Sequence, residues 1–268
     1  MDKYLIALDM DGTLLNKQHV ISKETSEYLR ELSKQGHIIV IASGRPVRGI
    51  MPFYNELELT TPIICYNGAY IYPGLETNFP EYKFSFPREI VLEILKEIGY
   101  DLLDNVILET NKDIYLLKNN DELDIFFSKK NMNVHLGPIE ETLKENSMTV
   151  LFQVNDLTQN ERIRAAVEKH DGLKLRFWSG KWTKISEIYF EKINKGDALL
   201  QIAQHFNIPK ERICSFGDAN NDIELIQVGK YGFAMKNGED ELKQYATRIT
   251  EFTNDENGVM KELQKIIK

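Results

Sequence analysis

The sequence predicts an α/β fold: a doubly wound, Rossmann-like core on a parallel sheet, with a second α+β module inserted into it. Five short runs are largely apolar, and the run at 37–42 is also rich in β-branched residues, which is typical of strands buried on both faces. Helix-like segments separate these runs, as in a doubly wound sheet. The middle of the chain has more polar strands and a hairpin pattern, which indicates a separate α+β module.

The core elements follow in chain order. The first strand is predicted at 4–8, and a helix follows it, with Ser22 as its N-cap and Gly36 as its end. The remaining core strands are predicted at 37–42, 62–66, 212–216 and 231–235.

The inserted module is predicted to combine paired strands with packed helices. A hairpin is expected within 108–116, around Asn111-Lys112-Asp113. Further strands are expected at 148–154 and 183–190, and helices at 87–98, 121–130 and 159–169. The predicted core is therefore 1–82 with 189–268, and the predicted insert is 83–188.

Composition excludes several classes of function. The chain has 268 residues and a formal net charge of −8, which argues against nucleic acid or an anionic membrane as the main partner. Two cysteines in apolar runs, Cys65 and Cys214, do not suggest a disulfide framework. No stretch approaches twenty apolar residues, and the start lacks a signal-peptide pattern. We therefore expect a cytoplasmic protein, monomeric or weakly homo-oligomeric.

Four short motifs carry the candidate chemistry. They are Asp9-Met10-Asp11-Gly12-Thr13, Ser43-Gly44-Arg45, Lys195-Gly196 and Gly217-Asp218-Ala219-Asn220-Asn221-Asp222. Three of them follow predicted strands directly, and the lysine motif opens a helix. Because the carboxyl ends of parallel strands share one edge of the sheet, we expect these motifs to converge where such folds bind ligands.

The two aspartates of the first motif suit phosphoryl transfer. A carboxylate such as Asp9 can attack phosphorus and form an aspartyl phosphate. Asp11, two residues later, can protonate the leaving oxygen and then take a proton from the attacking water. That role needs a raised pKa, which burial beside another carboxylate can supply.

A phosphomonoester dianion repels a carboxylate nucleophile, so a cation must bridge them. Mg²⁺ prefers hard oxygen ligands, and Asp9, the backbone carbonyl of Asp11 and Asp218 can provide them. Ser43 and the Gly44 backbone N–H can hold phosphoryl oxygens.

Four further residues have supporting roles or open alternatives. Lys195 can neutralise the phosphate and the nucleophile together. Asn221 can bind a phosphoryl oxygen, and Asp222 can support the metal ligands or Lys195. Arg45 either touches the site or forms a structural ion pair.

This set of motifs resembles the haloacid dehalogenase superfamily of phosphatases, and more narrowly its Cof-type branch of sugar-phosphate phosphatases with a C2-type cap. The resemblance spans nearly the whole chain and includes Asn67-Gly68-Ala69 and Glu187-Ile188. It implies the same roles for the motif residues and adds a phosphate contact from the Met10 backbone.

The position of the insert agrees with this resemblance. The interval from Asp9 to Ser43 holds one loop and one helix, whereas the interval from Ser43 to Lys195 is long enough for a domain. In the family this placement defines the C2 cap class and disfavours phosphomutases of the β-phosphoglucomutase kind. Asp11, where P-type ATPases have Thr, favours rapid hydrolysis of the aspartyl phosphate.

Two alternatives from other classes stay open: a binding protein that senses a phosphorylated metabolite, and a phosphotransferase that passes phosphate to a sugar. The expected partner is a small phosphorylated molecule, and sugar phosphates, nucleotides and cofactor phosphates all fit. The cap segment 178–182 is either a loop over the active site or a hairpin turn whose tryptophans pack within the cap. We favour the turn.

Overall fold

The computed structural model describes residues 3–76, 78–119, 129–178 and 184–267. The chain forms two compact units: unit 1 is Met1–Lys83 with Asn194–Lys268, and unit 2 is Phe84–Ile193. The helix predicted at 121–130 falls almost wholly on 120–128, outside the described residues.

The first part of unit 1 consists of alternating strands and helices followed by short strands. Its elements are β1 (Leu5–Leu8), α1 (Lys23–Lys34), β2 (Ile38–Ile41), α2 (Val47–Glu56), β3 (Ile63–Cys65), β4 (Tyr70–Tyr72) and β5 (Tyr82–Lys83). As expected, Ser22 caps α1, where its Oγ accepts a hydrogen bond from the Thr25 N–H at 3.1 Å.

Unit 2 follows without interruption. Its elements are α3 (Arg88–Ile98), β6 (Leu103–Glu109), β7 (Asp113–Leu116), β8 (Asn133–Leu136), α4 (Ile139–Thr142), β9 (Thr149–Val154), α5 (Asn160–Glu168), β10 (Leu173–Phe177) and β11 (Ile185–Phe190).

The chain then returns to unit 1. The remaining elements are α6 (Lys195–His205), β12 (Ile213–Gly217), α7 (Ile223–Gln227), β13 (Tyr231–Ala234), α8 (Asp240–Lys243), β14 (Arg248–Ile249) and α9 (Gly258–Ile266). Among the described residues, no helix combines the length and apolar composition needed to cross a membrane.

The core sheet of unit 1 is parallel, with strand order β14-β13-β12-β1-β2. Residues of β1 and β2 are fully buried, as their unbroken apolar character predicted. Because β1 lies between β12 and β2, the residues that follow these three strands share one edge of the sheet. This confirms the predicted α/β class with a parallel core sheet.

The prediction that 62–66 extends the parallel sheet is wrong. Strand β3 pairs antiparallel with β4 in a separate three-stranded sheet, and among the described residues its ladder pairing with the core sheet is a parallel bridge between Ala42 and Ile64. The cause is a left-handed turn at Tyr66–Gly68, which reverses the chain directly after Cys65.

Unit 2 contains a mixed sheet of order β10-β11-β9-β6-β7-β8, in which only the β7–β8 pair is parallel. The predicted hairpin is present as β6 and β7. One sheet face packs with residues of α3 and α5, and the other carries a smaller apolar cluster around Ile107 and Leu151. The sequence predicted more polar strands in this unit, but the inner strands β6 and β9 are largely buried.

Candidate active site

Three motifs lie at the carboxyl edge of the core sheet. Asp9 directly follows β1, Ser43 comes two residues after β2, and Asp218 directly follows β12. Adjacent parallel strands thus bring together residues from distant parts of the sequence. This is the convergence that the motif positions predicted.

Lys195 joins two of the carboxylates. It is the first residue of α6, has no exposed surface, and its Nζ lies 2.7 Å from Asp9 Oδ1 and 2.6 Å from Asp222 Oδ1. Both distances are those of charge-assisted hydrogen bonds. The ammonium group is therefore fixed between two aspartates from different ends of the chain.

The second oxygen of Asp222 holds the loop after β12. Asp222 Oδ2 accepts hydrogen bonds from the backbone N–H groups of Asp218 at 3.1 Å and Ala219 at 3.2 Å. Gly217 allows this approach, since a Cβ there would lie 2.3 Å from the Asp222 Cβ. Asp222 thus contacts both Lys195 and the backbone of Asp218, and its supporting role stays a prediction.

Asp218 is held against the first motif. Its Oδ1 accepts a hydrogen bond from Thr13 Oγ1 at 3.1 Å. Gly12 has a φ of +83°, and a Cβ there would lie 2.2 Å from Asp218 Oδ2. A residue without a side chain is therefore required where the two loops meet.

The electrostatics show an excess of negative charge. Burial, and after it the charge of Asp222, raises the pKa of Asp9 to about 7 against the opposing effect of Lys195. Burial followed by the charges of Asp9 and Asp222 raises the pKa of Asp218 well above its usual range. Burial lowers the pKa of Lys195, but the charges of Asp222 and Asp9 outweigh burial, so the pKa of Lys195 lies above its usual value.

Asp9, Asp218 and Asp222 form a carboxylate cluster, with one oxygen of each within 4.8 Å of the others. The donors are all hard oxygens, and one lysine does not balance three carboxylates. This donor set fits a hard divalent cation, in agreement with the expected oxygen-ligated metal site. Asp222 belongs to this cluster in addition to its supporting contacts.

Asp11 makes a different contact from that expected. Its two carboxylate oxygens accept hydrogen bonds from Arg45, with Nε at 2.8 Å and Nη2 at 2.6 Å. The Asp11 side chain is 33% exposed and therefore only partly buried. Arg45 thus forms an ion pair with a candidate site residue, and whether it touches a bound substrate stays a prediction.

The phosphate-binding candidates lie around a second polar contact. Ser43 is buried, and its Oγ accepts a hydrogen bond from the Arg45 N–H at 3.2 Å. Asn221 donates through Nδ2 to Asn67 Oδ1 at 2.9 Å, and the Asn67 side chain also lies against Gly44. The Met10 side chain is fully buried, while its carbonyl accepts the N–H groups of Thr13 and Leu15.

Two residues of this site, Thr13 and Asn67, had no role assigned from the sequence. Both stand inside short motifs that the sequence does display, Asp-x-Asp-Gly-Thr and Asn-Gly-Ala. The available signal is a hydroxyl or amide within a few residues of the end of a buried strand, β1 for Thr13 and β3 for Asn67. The partner of each lies in another motif, so its contact depends on the assembled fold.

Trp178 supports the turn interpretation of its segment. Its Nε1 donates to Glu187 Oε2 at 3.0 Å, and its ring packs against the apolar cluster of unit 2. The remaining residues of the segment, 179–182, lie outside the described residues.

Comparison with known proteins places these features in context. A family model described as haloacid dehalogenase-like hydrolase matches residues 6–263. The 5-amino-6-(5-phospho-D-ribitylamino)uracil phosphatase YitU of Bacillus subtilis is 34% identical, over 98% of this chain and 97% of the relative. A second phosphatase of that name from Bacillus subtilis, YwtE, is 32% identical over 95% of this chain and 94% of its own.

Solved structures agree. A haloacid dehalogenase-like hydrolase from Bacteroides thetaiotaomicron superposes with a TM-score of 0.82 and 27% identity, over 99% of this chain and 100% of that chain.

Proposed function

This chain belongs to the haloacid dehalogenase-like hydrolases of the Cof type and is a phosphatase of small phosphorylated metabolites, and we propose that Asp9 is its nucleophile. The observation that carries the proposal is the Lys195 ammonium fixed 2.7 Å from Asp9 Oδ1, beside Asp218 at the same edge of the sheet. A buried cation at that position stabilises the ionised, attacking form of a carboxylate.

In the first step a carboxylate oxygen of Asp9 attacks phosphorus and forms the aspartyl phosphate. The bond between phosphorus and the ester oxygen breaks, and the leaving oxygen takes its proton from Asp11. Lys195, with its Nζ 2.7 Å from Asp9 Oδ1, offsets charge on both the nucleophile and the incoming phosphoryl group.

In the second step a water oxygen attacks the same phosphorus, and Asp11 takes the proton of that water. The bond between phosphorus and Asp9 breaks, which releases inorganic phosphate and restores the carboxylate. Arg45 donates one hydrogen bond to each Asp11 oxygen, and each oxygen has a second lone pair through which Asp11 can exchange a proton with substrate or water.

Asp9 and Asp218 are the side chains proposed to bind Mg²⁺, together with the Asp11 carbonyl, while Asp222 holds Lys195 and the Asp218 loop. When bound, the metal supplies positive charge that offsets repulsion between the nucleophile and the phosphate dianion. Ser43, the backbone of Met10 and Gly44, and Asn221 are the groups proposed to bind phosphoryl oxygens.

The substrate proposed first is 5-amino-6-(5-phospho-D-ribitylamino)uracil, which carries its phosphate at the end of a polyol chain. The support is that both Bacillus subtilis relatives described above bear this activity in their names. Sugar phosphates with an ester on a primary alcohol share that reacting group and come second. Unit 2 is the proposed C2 cap that selects among them, since it is inserted between Ser43 and Lys195.

The proposed setting is the cytoplasm. Both cysteines, Cys65 and Cys214, are buried free thiols, as is usual in a reducing compartment. The predicted state of monomer or weak homo-oligomer stays a prediction.

The decisive experiment measures inorganic phosphate released from a panel of phosphorylated metabolites with Mg²⁺. The panel contains the aminouracil compound, sugar phosphates, nucleotides and cofactor phosphates. We expect the wild-type protein to release phosphate from at least one member of the panel. Asp9→Asn should keep the wild-type melting temperature but lose several orders of magnitude in rate. Substrate binding without release would favour the sensor alternative, and phosphate passed to an added sugar would favour the phosphotransferase. Substantial turnover by Asp9→Asn would remove Asp9 as the nucleophile.

A further inference from the structure

The turn after β3 has an unusual backbone. Tyr66, Asn67 and Gly68 all have positive φ, at 50°, 55° and 102°. Positive φ is rare for a residue with a side chain, above all a bulky one such as tyrosine. Surrounding contacts must therefore hold this turn in place, and such conformations cluster at functional sites.

The backbone of the turn is fastened to the second motif. The Tyr66 N–H donates to the Arg45 carbonyl at 3.2 Å, and the Asn67 N–H donates to the Ser43 carbonyl at 3.1 Å. The turn and the Ser43–Arg45 loop therefore hold each other in one arrangement.

The same turn also approaches the start of α6. A Cβ on Gly68 would lie 2.2 Å from the carbonyl oxygen of Asn194 and 3.0 Å from the backbone nitrogen of Lys195. The strained backbone thus brings the turn against a second motif without a side chain between them.

The side chain of Asn67 completes the arrangement. Its Oδ1 accepts a hydrogen bond from Asn221 Nδ2 at 2.9 Å. A Cβ on Gly44 would lie 3.1 Å from both Nδ2 and Oδ1 of Asn67. Asn67 therefore lies between two residues that come from different motifs and are both proposed to bind the phosphoryl group.

We propose that Asn67 is a positioning residue for the phosphoryl-binding site, acting through Asn221 and Gly44. Its oxygen takes one of the two N–H groups of the Asn221 amide and so fixes the direction of the other. Its bulk sets the separation between the Gly44 backbone and Asn221. This inference rests on the proposed function, because it assumes that a phosphoryl group binds there.

The test uses tungstate, an oxyanion that mimics phosphate, with its affinity measured by calorimetry in the presence of Mg²⁺. Asn67→Gly deletes the side chain while glycine keeps the positive φ without strain. The matched control is Asn207→Gly, since Asn207 has a φ of 54° in an exposed loop between α6 and β12. We expect Asn67→Gly to weaken tungstate binding about tenfold and to raise KM by about the same factor. This is the size of effect expected when one charge-assisted hydrogen bond to the anion is lost, and the control should not change.

Asn67→Asp supplies an independent variant. It keeps an acceptor for Asn221 and nearly the same shape, but it places a carboxylate beside the anion site. We expect its melting temperature to match the wild type while tungstate binding weakens by at least the same factor. A purely structural turn would give the opposite pattern, with wild-type tungstate affinity in both Asn67 variants, and that result would overturn the proposal.

A double variant tests whether Asn67 acts through Asn221. If it does, Asn67→Gly in an Asn221→Ala background weakens tungstate binding little beyond Asn221→Ala alone. Losses that multiply in full would overturn the coupling. The tungstate titrations do not depend on turnover. A wild-type protein that binds tungstate but releases no phosphate would reject the proposed function, and the effect of Asn67 on anion binding could still be measured.

Discussion

Replacing Lys195 by methionine removes the cation from the centre of the carboxylate cluster. Methionine has a similar unbranched shape, so the change is chiefly one of charge. Asp9 and Asp222 then lose hydrogen bonds of 2.7 Å and 2.6 Å from a side chain with no exposed surface. Asp222 keeps its two backbone N–H donors, whereas Asp9 loses its charged partner.

The magnitude follows from the burial of the pair. Removing one partner of a buried ion pair costs roughly 3–5 kcal/mol, because a desolvated charge is left without compensation. Stabilities of folded proteins are about 5–15 kcal/mol, so we expect Lys195→Met to fold but to unfold much more readily. Phosphate release should be lost.

The assay must report on unit 1. Both tryptophans, Trp178 and Trp182, belong to unit 2, so tryptophan fluorescence does not follow the core sheet. Amide hydrogen exchange of peptides containing β1 and β12 gives the local free energy of opening instead. The measurement is made in EDTA so that a bound metal does not replace the missing charge.

The matched control is Lys17→Met. Lys17 Nζ lies 2.9 Å from Asp255 Oδ2, but its side chain is 81% exposed. A solvent-exposed pair contributes about 0–1 kcal/mol, so this variant should lose little stability. An equal cost for the two lysine variants would refute the argument from burial.

A second variant separates charge from packing. In Lys195→Met/Asp222→Asn one uncompensated carboxylate is gone, so the double variant should be more stable than the sum of the two single costs predicts. The expected coupling is about 1.5–3 kcal/mol, the contribution of a hydrogen bond between charged groups. Fully additive costs would mean that Lys195 stabilises the core by packing alone.

Three further predictions concern the catalytic parts. Exhaustive chelation should abolish phosphate release, and added Mg²⁺ should restore it and raise the melting temperature; full activity in EDTA would contradict the metal site. Asp11→Asn should slow the hydrolysis of alkyl phosphates more than that of nitrophenyl phosphate, whose leaving group needs little protonation. With nitrophenyl phosphate a burst of product followed by slow hydrolysis should appear. Equal slowing of both substrates without a burst would count against the acid/base role. Gly12→Ala should weaken Mg²⁺ binding measured by calorimetry, because its Cβ would displace the Asp218 carboxylate, whereas Gly172→Ala, at a φ of +75° with nothing within 4 Å, should leave it unchanged.

The strands of the core could be predicted because burial on both faces leaves a continuous apolar pattern. That pattern marks β1, β2, β12 and β13, and it places the carboxylates at one edge of the sheet. The role of β3 could not be predicted, because its run is equally apolar and only the left-handed turn after it decides its partner. The exposed strand β8 carries no such pattern and was missed.

The sequence indicates which candidate site residues come together better than it indicates which contacts they make. Asp9, Lys195 and Asp218 meet because each stands at a strand or helix end, and the sequence displays those ends. The pairing of Asp11 with Arg45 depends instead on side-chain directions across two loops, 34 positions apart in sequence. The sequence around Asp11 does not indicate whether its carboxylate pairs with an arginine or lies beside other carboxylates.

The discontinuity of unit 1 has a consequence for synthesis on the ribosome. Strand β1 needs β12 as a neighbour, and Asp9 meets Lys195, 186 residues later in the chain. At translation rates of about 5–20 residues per second, roughly 10–40 s pass before that partner exists. Unit 2 is one continuous segment with its own apolar cluster and is complete by then. During that interval β1 has no partner on its β12 side, so an apolar strand edge is unpaired. The order of synthesis therefore makes the core sheet, rather than the insert, the part of the nascent chain most exposed to aggregation.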